Sequence, residues 1–495
     1  MAIYLAVDLG TTGCRSILFD NNLDVVSSSY EEYPLITPRE KWTEQDAELW
    51  WSLTLKTAEY AIAKSGISAK EIRAISVSSQ GITVVPVDRD IKPLCNAISW
   101  LDVRAEEESA RISAELTDKE MYIMTGKPVS ATYTLPKLLW IKENLPDVYD
   151  RAYKFLMPMD FLIARFTGNP VTDHSMASGT LMYDIKAMNW SEKIFKHYGI
   201  ERSKLPEIAF AGECAGTVLP EVADKLGLSR DCRVAVGAQD QKCAALGAGL
   251  SDGAMTISLG TAAAITKKWN EAKTEINNGV GWCGYAERGA FVTEGVIGTA
   301  GTCLRWVRDL FFKNEGYAVV DGEALAARER GSSLIFHPYM NGPTSPELYP
   351  ESTGNFYGIN LATERGDIAL AVMEGIAFQM RSILEAMEAY GSVDTLILFG
   401  GGAKSELWCR IIADVTGMKI KVTSTPEAAG AGAAILASRA SGENIGPLSI
   451  GKSYTPSAMR EAYNEKYKKY KAIERKLWSG GGKDRDSNKE CKSCS

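Results

Sequence analysis

Nowhere in the 495 residues is there an unbroken apolar run of about 18, so the sequence offers no helix to cross a membrane. Histidine is scarce. His174, His197 and His337 are the full complement, which argues against a histidine-built zinc centre. A basic excess is missing too: the formal net charge is -7, whereas a nucleic-acid partner asks for a basic surface. The ten cysteines lack the spacing of a disulfide framework. Cys232, Cys243, Cys303 and Cys409 stand singly among apolar residues, as reduced, buried thiols do in a cytoplasm. One CxxC exists, Cys491 and Cys494 in "ECKSCS". It follows the glycine-rich "SGGGKDRDSNK" with no second pair nearby, so a disordered tail over 479–495 is expected rather than a metal or redox site. The opening "MAIYLAVDLG" has no basic n-region or small-residue cleavage site and reads as mature protein.

What is there points to a globular chain of two domains, each of roughly 250 residues. The first thirty residues read as three short strands, "IYLAVDLG", "CRSILFD" and "DVVSSSYEEY". A helix is predicted over "TEQDAELWWSLTLKTAEYAIAKSG", with Thr43 as N-cap, Asp46 three residues on and Gly66 as its stop. "IRAISVSSQG" follows as another buried strand, giving a mixed α/β sheet. From about 105 to 225 the chain reads as mainly helical with insert-like loops. Near residue 254 the opening pattern returns: "AMTISLGTAAAITKK" is strand, Gly-Thr turn, strand, and "DTLILFGGGAKSELWCRIIADVTG" is strand, glycine turn, helix. Two related domains account for that repetition.

Chemistry is concentrated where strands end. "YLAVDLGTTGCRSILFD" runs from an apolar strand into Asp8 and then through Gly10, Thr11, Thr12 and Gly13. Small residues with hydroxyls let phosphate oxygens approach backbone N–H groups. In that reading Asp8 holds Mg²⁺, through water, and Arg15 adds a cation over the phosphates; an ordinary tight hairpin is the alternative. "VAVGAQDQKCAALGAG" delivers Asp240 into a turn before a small-residue helix, Lys242 to Gly249, as either a helix N-cap or a general base. "LFGGGAKSELW" admits close approach of a nucleotide, or is a plain strand–helix connection, and lacks the GxGxxG spacing of a dinucleotide site. Gln80, Trp100, Asp102 and Arg104 follow strands in the first domain. They offer a polyol polar partners and an apolar face, unless they are surface loops around a buried tryptophan. "GPLSIGKS", Gly446 to Ser453, matches the P-loop pattern. It is read as chance, because a polar stretch precedes it and Pro456 blocks a helix after it.

In this order the segments resemble the FGGY family of carbohydrate kinases from residue 3 to about 478. "GNFYGINLATERGDIALAVME", Gly354 to Glu374, carries the most specific match, supported by "FHPYMNG", "EGIAFQMRSILEAM" and "GGGAKSELWCRIIADVTG". The resemblance implies an α/β fold of two actin/Hsp70/RNase H-like domains facing a central cleft. The N-terminal domain, 1–249, would hold the sugar and a phosphate turn; the C-terminal domain, 250–478, would hold the nucleotide side. It further implies ATP and Mg²⁺, Asp240 as catalytic base, and Gln80, Gly81, Ile82, Trp100, Asp102, Arg104 and Gln241 on the substrate side. Thr11, Thr12, Gly13 and Arg15 would meet the phosphates from the first domain, Gly260 and Thr261 from the second. Gly301 would lie near the nucleotide, and Gly401, Gly402 and Ala403 beside adenosine.

Within the family, "VPVD…P" and "W-x-D-x-R" are most similar to xylulose kinases. Those enzymes carry Met-His after the glutamine matching Gln80, where this chain has Gly81-Ile82; glycerol kinases carry Arg-Glu there. The acceptor thus stays open among a xylulose-like ketose, glycerol, an L-fuculose- or L-ribulose-type ketose and gluconate. An actin- or Hsp70-like ATPase, or a sugar sensor, is the reading from another class. The expected partner is a small sugar or polyol, with no nucleic acid and no membrane. The expected compartment is the cytoplasm, and a homodimer is open to it.

Overall fold

The computed structural model describes residues 2–275, 279–313, 315–342, 345–346, 349, 351–388, 391 and 393–478. The tail expected to be disordered, 479–495, lies outside them. Two compact units emerge. The first is Met1–Ile257 with Thr266–Glu294 and Thr423–Gly451; the second is Ser258–Ile265 with Gly295–Val422 and the chain from Lys452 onward.

The first unit is organised by a seven-stranded sheet. Its order is Cys214–Thr217, Arg233–Ala235, Ile72–Ser79, Ile3–Leu9, Gly13–Asp20, Val25–Glu32, with Ala238–Gln239 also pairing with Ile72–Ser79. Ile3–Leu9 is central, and a strand covered on both faces reads as a continuous apolar run. Every residue of it is buried except Asp8, which is half-buried at its carboxyl end. The antiparallel register sets Arg15 opposite Asp8, and the parallel register sets Ser78 on its other side.

The helix Ala47–Ser65 packs beside this sheet, and Gly66 ends it in the left-handed conformation as expected. Its N-cap is Asp46, not Thr43: Asp46 Oδ1 accepts from the N–H groups of Glu48 and Leu49 at 2.9 and 3.3 Å. Thr43 is displaced from that role because Glu44–Gln45 is pulled into an antiparallel pair with Ala97–Ile98. Residues 105–225 are mainly helical, with short strand pairs such as Tyr183–Asp184 with Asn189–Trp190.

A helix at Asp240–Gly247, two residues earlier than expected, packs on Ala428–Ala440 with backbones nearly touching. A Cβ on Gly247 would lie 2.0 Å from the Ala428 carbonyl oxygen, and one on Gly432 would lie 1.9 Å from that of Cys243. Only glycine fits at either crossing point.

A second seven-stranded sheet has the order Gly281–Gly284, Phe291–Ile297, Ala263–Trp269, Ala254–Leu259, Thr395–Phe399, Lys419–Thr423, Ile450–Tyr454. It contains the repeated strand–Gly-Thr–strand segment. The helices of the second unit include Gly301–Phe311, Arg365–Glu388 and Glu406–Thr416, the last following the glycine turn. The P-loop look-alike has no strand–loop–helix context: Lys452 lies within the strand Ile450–Tyr454, and the next helix begins at Arg460.

Candidate functional site

In the first unit the residues singled out collect at the ends of the central strands. Asp8 Oδ1 accepts from Ser78 Oγ at 3.0 Å. Burial is the main reason its carboxyl is pushed up to about 6, with Glu427 adding to the rise and Ser78 and Arg15 opposing it.

Asp240 opens the helix Asp240–Gly247. The capping position belongs to Gln239, whose side-chain oxygen accepts from the Gln241 N–H at 3.1 Å, so the N-cap reading of Asp240 is not what the chain adopts. Asp240 Oδ1 accepts from that N–H at 2.7 Å and from the Gln239 side-chain amide. Both bonds end on Oδ1, which leaves Oδ2 as the oxygen to take a proton. Burial pushes this carboxyl up to about 7; the neighbouring Asp8 charge and Glu294 add to the rise, while the Gln241 N–H and Lys242 oppose it. Although solvent reaches part of its surface, the surrounding protein atoms dominate that shift. A carboxyl that titrates near neutrality is a usable general base.

A buried polar chain stands behind Asp240. Lys242 pairs with Glu294 Oε2; Cys283 Sγ lies 3.5 Å from that oxygen, and Lys127 Nζ donates to Cys283 Sγ at 2.9 Å. Burial works to raise Glu294, but Lys242 and Lys127 hold it below the ordinary carboxylate range. Its Oε1 is buried and has no hydrogen-bond partner among the described residues.

The Gly10–Gly13 turn is closed by Gly10 N–H to the Gly13 carbonyl at 2.9 Å. Thr11 is held twice: its carbonyl accepts from Gln45 Nε2 at 2.7 Å, and its hydroxyl accepts from Trp100 Nε1 at 2.9 Å. Gln80 Nε2 donates in turn to Gln45 Oε1 at 3.0 Å. The hydroxyl of Thr12 is left on an exposed residue at the tip. Trp100 is 37% exposed, so the buried-tryptophan reading does not hold and an indole face is open to a ligand.

Gly81 sits against Gln239, whose Cγ would be 3.1 Å from a Cβ there. Ile82 holds φ at 55°, a costly conformation for a β-branched residue. Strain of that kind clusters at functional sites.

Three expected site residues are otherwise engaged. Asp102 is fully buried; it accepts from the Thr43 and Arg104 N–H groups at 2.6 and 2.9 Å and pairs with the Arg104 guanidinium. Arg104 also pairs with Glu44 and lies over the rings of Trp42 and Trp140 at 3.7 and 4.9 Å. Both therefore brace the Trp100 loop instead of offering polar atoms to a substrate. Arg15 is bonded twice to Glu427, at 2.6 and 2.7 Å, so its charge is already matched. Sequence reasoning missed Glu427, 412 residues away, and Gln45. Neither stands in a motif.

In the second unit, Gly260 and Thr261 form the repeated turn, and the helix Gly301–Phe311 is fastened to it. Gly301 N–H donates to the Gly260 carbonyl at 2.9 Å, and Thr302 donates to the Thr261 carbonyl from both N–H and hydroxyl at 3.1 Å. A Cβ on Gly301 would come within 2.4 Å of the Gly260 oxygen, so only glycine permits this contact. Thr261 remains exposed. In the glycine turn, a Cβ on Gly402 would meet the Leu259 side chain at 2.6 Å, whereas Gly401 has nothing within 4 Å. Close packing therefore accounts for Gly402. Gly401 keeps open space for a flat group, and Ala403 is buried behind it.

Among the described residues no cluster of three or more histidine, cysteine, aspartate or glutamate side chains is arranged to hold a metal ion, and no helix is long and apolar enough to cross a membrane. Asp8, a desolvated carboxylate beside a second one, fits a cation that arrives with a nucleotide.

Comparison with known proteins gives the same reading. Residues 3–247 match the family model for the N-terminal domain of the FGGY family of carbohydrate kinases, and residues 255–441 match its C-terminal domain. The chain is 32% identical over 444 residues to a xylulose kinase of Bacillus subtilis, covering 89% of each. It is 28% identical over 478 residues to a gluconokinase of the same species, covering 93% of each. A ligand-bound xylulose kinase of Lactobacillus acidophilus superposes with a TM-score of 0.89 at 25% identity, over 97% of this chain and 99% of that one.

Proposed function

The chain belongs to the FGGY family of carbohydrate kinases, and from that premise we propose that Asp240 is the base that prepares a sugar hydroxyl for phosphorylation. The overall activity is that of an ATP-dependent sugar kinase, which transfers a phosphoryl group to an alcohol. The acceptor we propose is a ketose of the xylulose type, and the relatives named xylulose kinase support that choice. A gluconate-type acceptor is the second reading, supported by the gluconokinase of comparable coverage.

The observation that carries the proposal is the setting of Asp240: half-buried, with Oδ1 tied to the backbone and burial pushing its carboxyl up to about 7. Above that pH, Oδ2 takes the proton of the acceptor hydroxyl as its oxygen bonds to the γ-phosphorus of ATP, while the bond from that phosphorus to the β,γ-bridging oxygen breaks and ADP leaves. Phosphoryl transfer depends chiefly on positioning and charge neutralisation, so the base is one contributor among several. The indole face of Trp100 packs the carbon skeleton of the sugar, and Gln241 is placed beside the base. Thr11 and Thr12 are the phosphate-binding hydroxyls of the first unit, and the second unit carries a like turn at Gly260 and Thr261. Gly401 and Ala403 line the adenosine side, with Gly301 bracing the second turn.

Mg²⁺ bound to the nucleotide would neutralise phosphate charge, with Asp8 as its protein carboxylate, reached through water. Free, mostly buried thiols among the described residues support a cytoplasmic setting. The test is ADP release on a panel of pentuloses, hexuloses, polyols and aldonates with Mg·ATP. Turnover highest with D-xylulose is expected; hydrolysis stimulated by peptides and by no sugar would sink the proposal.

A further inference from the structure

Lys137 has no role in the reaction described above, yet it is the most unusual cation in the first unit. It lies in the helix Thr134–Asn144, and none of its surface reaches solvent. A buried ammonium costs several kcal/mol unless it is well paired, and a methionine would fill the same space without that cost. Among the described residues no carboxylate pairs with it. Its Nζ donates instead to two main-chain carbonyls, Ser99 at 2.6 Å and Thr132 at 2.5 Å. Burial pushes Lys137 down to about 7; Arg104 adds to the fall and Asp102 opposes it.

The two carbonyls belong to loops, and those loops carry the acceptor side of the site. Ser99 immediately precedes Trp100, whose N–H donates to Thr83 Oγ1 at 3.0 Å and whose indole donates to Thr11 Oγ1 at 2.9 Å. Thr132 lies two residues before Thr134, whose hydroxyl donates to the carbonyl of the strained Ile82 at 3.1 Å. A single side-chain nitrogen thus ties the Trp100 loop to the loop that steadies Ile82. Amine and ammonium alike have the N–H groups to serve both carbonyls, so the clamp holds in either protonation state.

We propose that Lys137 is a positioning residue for the acceptor sugar, fixing the indole of Trp100 through the Ser99 and Thr132 carbonyls. The inference rests on the reading of Trp100 as part of the acceptor site. It does not touch the nucleotide side, so loss of the clamp is felt by the sugar and not by ATP.

The experiment uses the full chain with Mg·ATP, and with D-xylulose and D-gluconate each tried as acceptor. Lys137→Met keeps the volume and removes the donor. It should raise KM for the sugar by about tenfold, corresponding to the loss of about 1.4 kcal/mol, while KM for ATP stays within about twofold. Amide hydrogen exchange should quicken at residues 99–101 and 131–133 and stay unchanged in Ile3–Leu9, a readout that needs no acceptor. Ethylammonium in the buffer should lower the sugar KM of Lys137→Ala by refilling the cavity. Should Lys137→Met fail to fold, Lys137→Leu, which also lacks a donor, is read in the same way. Equal rises in both KM values, or unchanged exchange in both loops, overturn the inference. Trp100→Ala separates it from its premise: if that variant raises the sugar KM and Lys137→Met does not, the clamp alone is wrong. If neither variant moves it, the acceptor site itself is misplaced and the inference falls with it.

Discussion

The indole nitrogen of Trp100 donates to the hydroxyl of Thr11 at 2.9 Å, although 89 residues separate them in sequence. The exposed ring proposed to face the sugar is therefore steadied by a hydroxyl of the turn proposed to face the phosphates.

Trp100→Phe keeps a flat ring and deletes that bond. Loss of one neutral hydrogen bond is worth about 0.5–1.5 kcal/mol, so KM for the sugar should rise about threefold to tenfold while KM for ATP moves less. Thr11→Val should have the same effect on KM for the sugar, and the double variant should be little worse than either single one. Fully additive effects would show that the two groups act apart.

Asp240 sets the pH response. With its carboxyl pushed up to about 7, kcat/KM should fall as pH drops below 7 and level off above it. Asp240→Asn should lower kcat by about 10²–10⁴ while ATP still binds, as measured by calorimetry. The same variant should be the more stable protein at pH 8. A carboxyl whose folded value is raised above its unfolded one destabilises the native state once it is ionised, so replacing it adds about 1–3 kcal/mol. That gain should fade as pH falls from 7 towards 4, where the aspartate is protonated in the folded state.

The chain behind Asp240 gives a signed test. Lys242 favours the ionised base and Glu294 opposes it. Lys242→Met should move the acid limb of the kcat/KM profile to higher pH, Glu294→Gln should move it lower, and the double variant should return towards the parent. Shifts in one common direction would mean that both changes merely loosen the fold.

Two neighbouring glycines should behave differently. Gly402→Ala places a Cβ 2.6 Å from Leu259, and overpacking of that kind costs about 1–3 kcal/mol in thermal unfolding. Gly401→Ala meets nothing within 4 Å, so stability should hold while KM for ATP rises. An unchanged KM would place adenosine elsewhere.

Much of the architecture was legible because local chemistry and final fold agree. The apolar run ending in Asp8, the Gly-Thr turns and the Gly66 stop each follow from residues within a turn of one another. What was not legible depends on partners far along the chain. Asp102 and Arg104 look like ligands in a loop, but Trp42, Glu44 and Trp140 enclose them in a buried ion pair. Arg15 looks like a free cation until Glu427 is seen beside it. Lys137 gives no hint of burial, since lysine in a helix is ordinarily solvated. The displacement of the N-cap from Thr43 to Asp46 has the same origin, a strand pairing with residues some fifty positions on.

The crossing of Gly247 and Gly432 has a practical corollary. A polypeptide stopped near residue 250 would expose the small-residue face of the helix that begins with Asp240, and the arginine opposite Asp8 would lose its counter-ion. The half proposed to handle the sugar is thus inseparable from the helix Ala428–Ala440, which is synthesised long after it. Nascent chains must wait for that helix before Asp240 is seated, and deletions within it should silence chemistry encoded far upstream.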